Sequence, residues 1–176
     1  MPFTLFHLGP ALAIGLPLRK YVHVPTFIVA NVILDVEPLL VMFFGLSYPL
    51  HGYLHTLLLA FMVGLLLALV MFKLEGTMQP AYRLLLLETS NNYGAKPFIL
   101  AGISGTMLHV LLDAPLYSDI HPFFPFAANP LLETGTLAGM DVFVLCIWMG
   151  MFALVFYTAL VVFNVYKKLT AQKHAT

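Results

Sequence analysis

The sequence predicts an all-α integral membrane protein, a helical bundle of about five transmembrane helices. Of its 176 residues 61% are hydrophobic and only 9% are charged, whereas an ordinary soluble domain carries about 25% charged residues. Mean hydropathy is +0.93. The apolar runs are too long for strands and lack their alternation. The length suits one membrane domain over residues 1–176, with no room for a separate soluble domain.

Five apolar segments are candidates for membrane spans. A span needs ~20 residues to cross ~30 Å of hydrocarbon, so the first segment, which is short and contains Gly9-Pro10, is expected to be tilted, broken or re-entrant. It lacks the basic start of a signal peptide, because Arg19 and Lys20 follow it, and we expect it to be retained. The predicted spans cover approximately residues 3–18, 25–46, 52–72, 97–117 and 139–165.

The second span should not be a continuous helix. Pro38 disfavours helical geometry at Glu37 and removes a helix donor, so a break is expected at the Glu37-Pro38 step. The fifth span is the longest, and together with the tail it forms residues 139–176, outside the part of the chain that carries the candidate site, residues 1–125.

The basic residues predict the orientation. Five alternating spans place every one of them on the same side, which under the positive-inside rule gives an N-terminus outside and a cytoplasmic C-terminus in the cell (inner) membrane. A four-span alternative without the first segment would leave the N-terminus inside. The eight basic residues are Arg19, Lys20, Lys73, Arg83, Lys96, Lys167, Lys168 and Lys173.

Composition also excludes some partners and bonds. The formal net charge is zero and no basic cluster is present, so the lipid bilayer, and not nucleic acid, is the expected partner. Cys146 is the only cysteine, which rules out an intrachain disulfide. Nothing in the composition indicates the number of subunits.

Four short stretches place histidines and carboxylates inside or beside these apolar segments. Ionisable groups in a membrane cost several kcal/mol each unless they pair or bind something, so they mark function by default. No Lys or Arg lies at the depth of the carboxylates to neutralise them. In the five-span topology six of these seven residues can meet in the outer half of the bilayer, and all seven if the chain breaks at Glu37-Pro38. They are His7, Asp35, Glu37, His51, His55, His109 and Asp113.

The residue types and spacing indicate a metal centre. His51 and His55 are four residues apart, as are His109 and Asp113, so each pair shares a helical face if a helix includes both members. Imidazoles and carboxylates suit one or two divalent ions, best zinc, and a carboxylate can bridge two metals. Glu37 is the candidate general base if it is not a ligand. The predicted ligands are His7, Asp35, His51, His55, His109 and Asp113.

Simpler roles remain open for several histidines. His7 can be a hydrogen-bonding helix contact, and His51 an interfacial residue of the loop before the third span. His121 lies in the outer loop and fits either the site or a solvated position. His23 and His174 fall on the basic side, and we interpret both as surface residues.

These motifs resemble the YdjM-like family of inner-membrane metal-dependent hydrolases. The matching elements are His7, Asp35-Val36-Glu37, the run from His51 to Leu57, and the run ending at Asp113, together covering roughly residues 1–125. That family is similar in turn to the zinc-dependent phospholipase C and single-strand nuclease superfamily. The more distant resemblance implies as ligands His7, Asp35, one of His51 or His55, His109 and Asp113, the last as a possible bridge.

Two departures from the family pattern limit what the resemblance implies. Gly52 stands where the family carries a basic residue, and no His-x-x-x-Glu follows His121. The resemblance therefore implies fewer than three metals. A metal-dependent hydrolase is therefore predicted, and the position of the site in the membrane favours a lipid ester or phosphoester that enters from the outer leaflet. The aromatic and proline content of the loop 118–140 is typical of an interfacial lid. The alternatives are a metal-binding protein without activity and a divalent-cation or proton transporter, the latter disfavoured because the inner halves of the spans offer almost no polar side chains.

Overall fold

The computed structural model describes residues 4–87, 94–134 and 139–173 and shows helices joined by short connections. No strand occurs in these ranges, which confirms the all-α class. Two short 3-10 turns, Ile33–Asp35 and Tyr53–His55, interrupt the helical order. The helices are α1 (Thr4–Gly15), α2 (Val24–Ala30), α3 (Val36–Phe44), α4 (Leu57–Leu84), α5 (Lys96–Asp113) and α6 (Met140–Lys173).

Three segments are long and apolar enough to cross a membrane: Val24–Phe44, Leu57–Leu84 and Met140–Gln172. The apolar part of α1, Phe6–Gly15, is shorter. α5 is not in this group; it has 18 residues, of which the first is Lys96 and the last is Asp113. Large apolar side chains along α3, α4 and α6 are exposed, as expected of helices that face lipid. Membrane association is thus supported, whereas five crossings remain a prediction.

Two helices extend beyond the predicted spans. α4 continues past Phe72 to Leu84, and α6 continues to Lys173. At ~1.5 Å per residue, each is longer than the ~30 Å hydrocarbon layer requires. Lys73 and Lys167, which follow the predicted third and fifth spans, therefore lie within continuous helices and not in separate loops.

The break in the second span lies earlier than predicted. α2 ends at Ala30, a 3-10 turn follows, and α3 begins at Val36 with Asp35 as its N-cap. The expected break at the Glu37-Pro38 step was wrong. Pro38 lies in the first turn of α3, where a helix has no internal acceptors for its backbone donors, so the missing N–H costs nothing.

Glycines bring three helices into close contact. A side chain at Gly64 of α4 would meet the carbonyl oxygen of Gly102 at 2.5 Å, and one at Gly102 of α5 would overlap the carbonyl of Gly64. A Cβ atom at Gly105 of α5 would likewise lie 2.5 Å from the Cβ atom of Ala30 on α2. Such small-residue contacts let membrane helices approach closely. α5 is therefore the central helix, packed between α2 and α4.

α1 packs against α6 in the same manner. A Cβ atom at Gly9 would lie 2.7 Å from the carbonyl oxygen of Cys146 and 3.1 Å from the backbone nitrogen of Gly150. Nearer the N-termini of both helices, the rings of Phe6 and Phe143 meet edge to face with centroids 5.5 Å apart. This pairing fixes the position of α1 and, with it, of His7.

His23 is fully buried, so its interpretation as a surface residue was wrong. Its Nδ1 accepts from the backbone N–H of Thr26, which caps α2, and its Nε2 lies 3.0 Å from a carboxylate oxygen of Glu75 on α4. The ring stacks on Phe98 at 4.0 Å. Burial lowers the pKa of His23 to about 4, so the ring is neutral at pH 7. The other histidine of that interpretation, His174, lies outside the described residues.

Candidate metal centre

The predicted ligands come together at one end of the bundle. α1 contributes His7, the 3-10 turn before α3 contributes Asp35, and the last turns of α5 contribute His109 and Asp113. The connection between α3 and α4 contributes His51 and His55. All are buried, with exposed fractions of 2% (His7), 8% (Asp35), 4% (His51), 0% (His55), 0% (His109) and 2% (Asp113).

His109 presents its Nε2 to the cluster. Its Nδ1 lies 2.8 Å from the backbone carbonyl oxygen of Asn31, at the C-terminal end of α2. A carbonyl oxygen only accepts, so Nδ1 carries the proton and donates it. In the neutral ring, Nε2 therefore keeps a lone pair. α5 approaches α2 closely at Gly105, which brings the His109 ring to the carbonyl oxygen of Asn31.

His55 is ordered in the same way by Glu37. Its Nδ1 lies 2.8 Å from Oε2 of Glu37. The carboxylate also accepts from the backbone N–H groups of Gly52 at 3.0 Å and Leu54 at 3.2 Å, and from the hydroxyl of Tyr48 at 3.3 Å. Because backbone N–H groups only donate, both carboxylate oxygens act as acceptors. His55 therefore donates from Nδ1 and turns the lone pair of Nε2 to the cluster.

His51 is held by Asp119, which sequence analysis missed. Oδ1 of Asp119 lies 3.1 Å from Nδ1 of His51, and Oδ2 accepts from the backbone N–H of His51 at 3.0 Å. Burial alone would raise the pKa of the Asp119 carboxyl, but these hydrogen bonds hold it below its ordinary value. His51 thus presents Nε2 as well. No signal in the sequence distinguishes Asp119 from a solvated loop residue.

His51 and His55 do not share a helical face. Their four-residue spacing would have placed them on one face only if a single helix included both. α4 begins at Leu57, and both histidines lie in the irregular segment before it. Their rings meet edge to face with centroids 4.8 Å apart. The segment folds tightly because Gly52 has no side chain: a Cβ there would overlap the Tyr48 ring. A side chain at position 52 would therefore have to displace the Tyr48 ring.

The Nε2 atoms of His55 and His109 are only 3.3 Å apart. Oδ2 of Asp113 lies 3.4 Å from Nε2 of His109 and 4.0 Å from Nε2 of His55. Two lone pairs and an anionic oxygen at these distances repel one another unless a cation lies among them. The donor set of imidazole nitrogens and carboxylates therefore fits a divalent metal.

His7 completes the cluster from above His109. The two rings stack with centroids 4.0 Å apart and 27° between their planes. Nε2 of His7 lies 3.2 Å from Oδ1 of Asp113, yet neither this oxygen nor either ring nitrogen of His7 has a well-aligned hydrogen bond within the described residues. Asp35 approaches Nε2 of His109 at 3.8 Å. Buried polar atoms left without well-aligned hydrogen bonds are typical of a site that binds an ion.

Asp113 belongs to two groups of ligand atoms. In one, it joins His7, Asp35 and His109; in the other, His51 and His55. Within each group the ligand atoms all lie within 4.8 Å of one another. The two groups share the Asp113 carboxylate, whose Oδ1 faces His7 and whose Oδ2 faces His109. The geometry can therefore accommodate one ion or two.

A cavity of about 350 Å³ borders the cluster beside His51. Its rim includes Tyr48, Tyr53, His51 and Phe124, and the exposed His121 lies there as well. His121 belongs to neither group of ligand atoms. The loop containing it is anchored to the start of α4, where the backbone N–H of Leu57 donates to the carbonyl of Pro122 at 2.9 Å.

Tyr117, which sequence analysis did not single out, lies at the edge of the cluster in the loop after α5. The half-buried ring packs on His51 with centroids 4.0 Å apart. The backbone N–H of Tyr117 donates to the carbonyl of Asp113 at 3.2 Å, which holds the first turn of the loop. The phenol ring therefore shields His51 on one side.

No family model, no curated protein and no solved structure matches the chain. The resemblance to the YdjM-like family, and the ligand set it implies, therefore remain a proposal. Function has to be inferred from the geometry of the cluster.

Proposed function

We propose that this protein is a membrane-embedded hydrolase that depends on one or two divalent metal ions, best zinc. One observation carries the proposal: three buried histidines each bind an oxygen acceptor through Nδ1 and leave Nε2 for the cluster around Asp113. This is how proteins orient metal-ligating histidines. A packed core histidine also satisfies its Nδ1, but it does not share one carboxylate with several other histidines as these do.

The described side chains fit the metal. Catalytic zinc uses three protein ligands and an open position, and six candidate ligands suffice for one or two such sites. His55, His109 and Asp113 would hold an ion most directly, and His7, Asp35 and His51 would complete the set. When bound, such an ion supplies Lewis acidity that lowers the pKa of water toward ~7 and polarises a phosphoryl or acyl oxygen.

The residues of the chain itself orient and shield the site. Glu37, Asp119 and the Asn31 carbonyl fix the three imidazoles, so little reorganisation is needed when a substrate arrives. The cavity beside His51 has room for water and for a polar group of a substrate. Net hydrolysis adds the oxygen of water to phosphorus or to an acyl carbon, and the alcohol leaves with a proton.

A lipid ester or phosphoester that enters from the outer leaflet is the proposed substrate. The support is the position of the cluster in a chain with three potential spans, together with a cavity that opens beside it. With the orientation derived from the basic residues, this cavity faces outward from the cell (inner) membrane. The YdjM-like resemblance favours the same reaction class.

Transport of a metal ion or a proton is disfavoured by the packing beside the cluster. Leu34, Ala60 and Val110 form a fully buried apolar group next to Asp35 and His109. A transport path would need polar groups or water at this depth. A metal-binding protein without activity remains the alternative class, and substrate hydrolysis distinguishes it from the enzyme.

The first experiment measures metal content. Protein purified without chelators should contain stoichiometric metal by elemental analysis, and His109→Ala or Asp113→Ala should lose most of it because each removes a central ligand. Ser104→Ala on the exposed face of α5 is the matched control and should retain the metal. Wild-type protein without metal would overturn the proposal.

The second experiment measures hydrolysis. Metal-loaded protein should cleave at least one member of a panel of p-nitrophenyl acyl esters and alkyl p-nitrophenyl phosphates, and Asp113→Ala should not. Stoichiometric metal with no cleavage of any phospholipid or chromogenic ester would favour the non-enzymatic metal-binding protein.

A further inference from the structure

His121 lines the cavity beside His51 but belongs to neither group of ligand atoms. The sequence left it open between a part of the site and a solvated loop residue, and the proposed function gives it no role. We propose that His121 is the general acid of the hydrolytic reaction, the residue that protonates the departing alcohol. This inference rests on the proposed function for the reaction itself, and the experiments below separate the two.

The loop after α5 holds the backbone of His121 in place. Its neighbours in the chain, Ile120 and Pro122, are buried, and the carbonyl of Pro122 accepts from the backbone N–H of Leu57 at 2.9 Å. The carbonyl of His121 accepts from the backbone N–H of Phe124 at 3.1 Å. The imidazole between these anchors is exposed and lines the cavity. The backbone at His121 is therefore fixed on both sides, while its ring stays accessible to a ligand.

The same cavity reaches a candidate metal ligand. His51 lines it together with His121, and His51 forms one group of ligand atoms with His55 and Asp113. A compact cavity of about 350 Å³ is only ~9 Å across, which is about the size of the polar part of a small ligand. A substrate whose ester bond lies at the cluster can therefore place its leaving alcohol in a cavity that His121 lines.

The other titratable side chains that line the cavity are less suited to give a proton. Both oxygens of Asp119 accept from His51, and these hydrogen bonds keep the carboxylate an acceptor. Tyr48 and Tyr53 are phenols, which titrate only near pH ~10 in general. No Lys or Arg is among the described residues that line the cavity. An imidazole is the side chain that gives and takes a proton near neutral pH, which favours His121.

The proposed step accounts for every proton. The oxygen of water adds to phosphorus or to the acyl carbon, while the bond to the alcohol oxygen breaks and leaves its electron pair on that oxygen. The imidazolium of His121 gives this oxygen a proton, and the neutral ring then takes up the proton that the water has lost. The net change converts ester and water into acid and alcohol, without oxidation or reduction. Because an alkoxide is a poor leaving group, a general acid typically contributes ~10²–10⁴-fold to such a step.

Two substrates that differ only in the leaving group test the assignment. A p-nitrophenyl substrate releases p-nitrophenolate, a stable anion that needs no proton, whereas its alkyl counterpart of the same ester class releases an alkoxide. His121→Gln should lower kcat/KM ~100-fold or more on the alkyl substrate and leave the p-nitrophenyl substrate nearly unchanged. Phe126→Ala, at an exposed position of the same loop that does not line the cavity, is the control and should retain both activities. Metal content tests the folding of both variants.

Binding provides a measurement that needs no turnover. Inorganic phosphate, added to the zinc-loaded protein as the simplest analogue of a product, should shift the ¹⁵N signals of the His121 ring, which are assigned by their loss in His121→Gln. The ring signals of His23, which is buried against Phe98, should not move. Metal-free protein is the control for non-specific binding of phosphate and should show no shift at His121. Unchanged His121 signals in the zinc-loaded protein would overturn the inference.

The kinetic outcomes distinguish this inference from the proposed function. An equal loss on both substrates in His121→Gln, or no loss on the alkyl substrate, would overturn the role of His121 and leave the hydrolase proposal standing. Wild-type cleavage of the p-nitrophenyl substrate alone would also overturn it, because a working general acid supports both reactions. If the wild type cleaves neither substrate, the proposed function itself fails.

Discussion

At the scale of single residues, Glu37 shows how contacts define a role. The sequence suggests a general base, which stays a prediction, but the four observed hydrogen bonds favour another role. They occupy the four acceptor positions of the carboxylate, two on each oxygen. No position remains to take a proton from water. We infer that Glu37 positions His55 and the loop around Gly52.

Glu37→Gln separates these two roles. The amide replaces an acceptor by a donor, so one of the bonds to His55 or the loop must be lost, and metal affinity should fall ~10–100-fold. Competition with a chelator measures the affinity, and ¹⁵N NMR shifts of the His55 ring report its tautomer. Tyr48→Phe, which removes only the phenol bond to the same carboxylate, should have a smaller effect. Unchanged affinity and tautomer combined with loss of hydrolysis would instead establish Glu37 as the base.

At the scale of helices, glycine contacts hold the centre together. α5 carries His109 and Asp113, and its approach to α4 and α2 at Gly102 and Gly105 sets their position. A Cβ atom added at Gly76 of α4, by contrast, would have no described atom within 4 Å. An added side chain would therefore overlap a neighbouring helix at Gly102 but meet open space at Gly76.

Gly102→Ala should therefore destabilise the protein and Gly76→Ala should not. The added methyl at position 102 overlaps the Gly64 carbonyl, an overpacking that costs about 1–3 kcal/mol. At position 76 the alanine meets open space, and its higher helix propensity contributes up to about 1 kcal/mol of stability. Thermal unfolding in detergent should show a lower Tm for the first variant and an equal or higher Tm for the second. An unchanged Tm for Gly102→Ala would mean that α4 and α5 are less closely packed than described.

At the scale of the whole molecule, the His/Asp cluster lies at one end of the bundle and the basic residues lie toward the other, as Asp113 at the end of α5 and Lys96 at its start show. The buried His23 donates its backbone N–H to the carbonyl of Pro97 at 3.2 Å, beside Lys96 at the start of α5, whereas Asp113 ends the same helix. This separation agrees with a topology in which all basic residues face the cytoplasm. The side on which the N-terminus lies then decides whether α1 crosses the bilayer or only enters it.

Cysteine labelling tests that topology. With Cys146 replaced by alanine, Pro2→Cys and His174→Cys should react with an impermeant maleimide from opposite sides of the membrane, the first from outside. The reason is the positive-inside rule applied to five spans. Reaction of both positions from the cytoplasmic side would support the four-span alternative, in which the first segment does not cross.

The sequence alone determined the fold class and the residues that form the cluster, because both follow from costs that depend on local composition. Long apolar runs without charge can only be helical in a membrane, and uncompensated carboxylates beside histidines are too costly there to lack a function. The four-residue spacing that places His109 and Asp113 on one helical face is also a property of the local sequence. These predictions needed no knowledge of which helices meet.

Only the tertiary structure decided how the site is ordered. The carbonyl of Asn31 faces His109 because α2 docks on α5, and Asp119 faces His51 across 68 residues of chain. No periodicity encodes such contacts. The position of the break before Asp35, the burial of His23 and the role of Glu37 depend likewise on packing between distant segments. Composition sets which groups must find partners, and the docking of helices sets which partners they find.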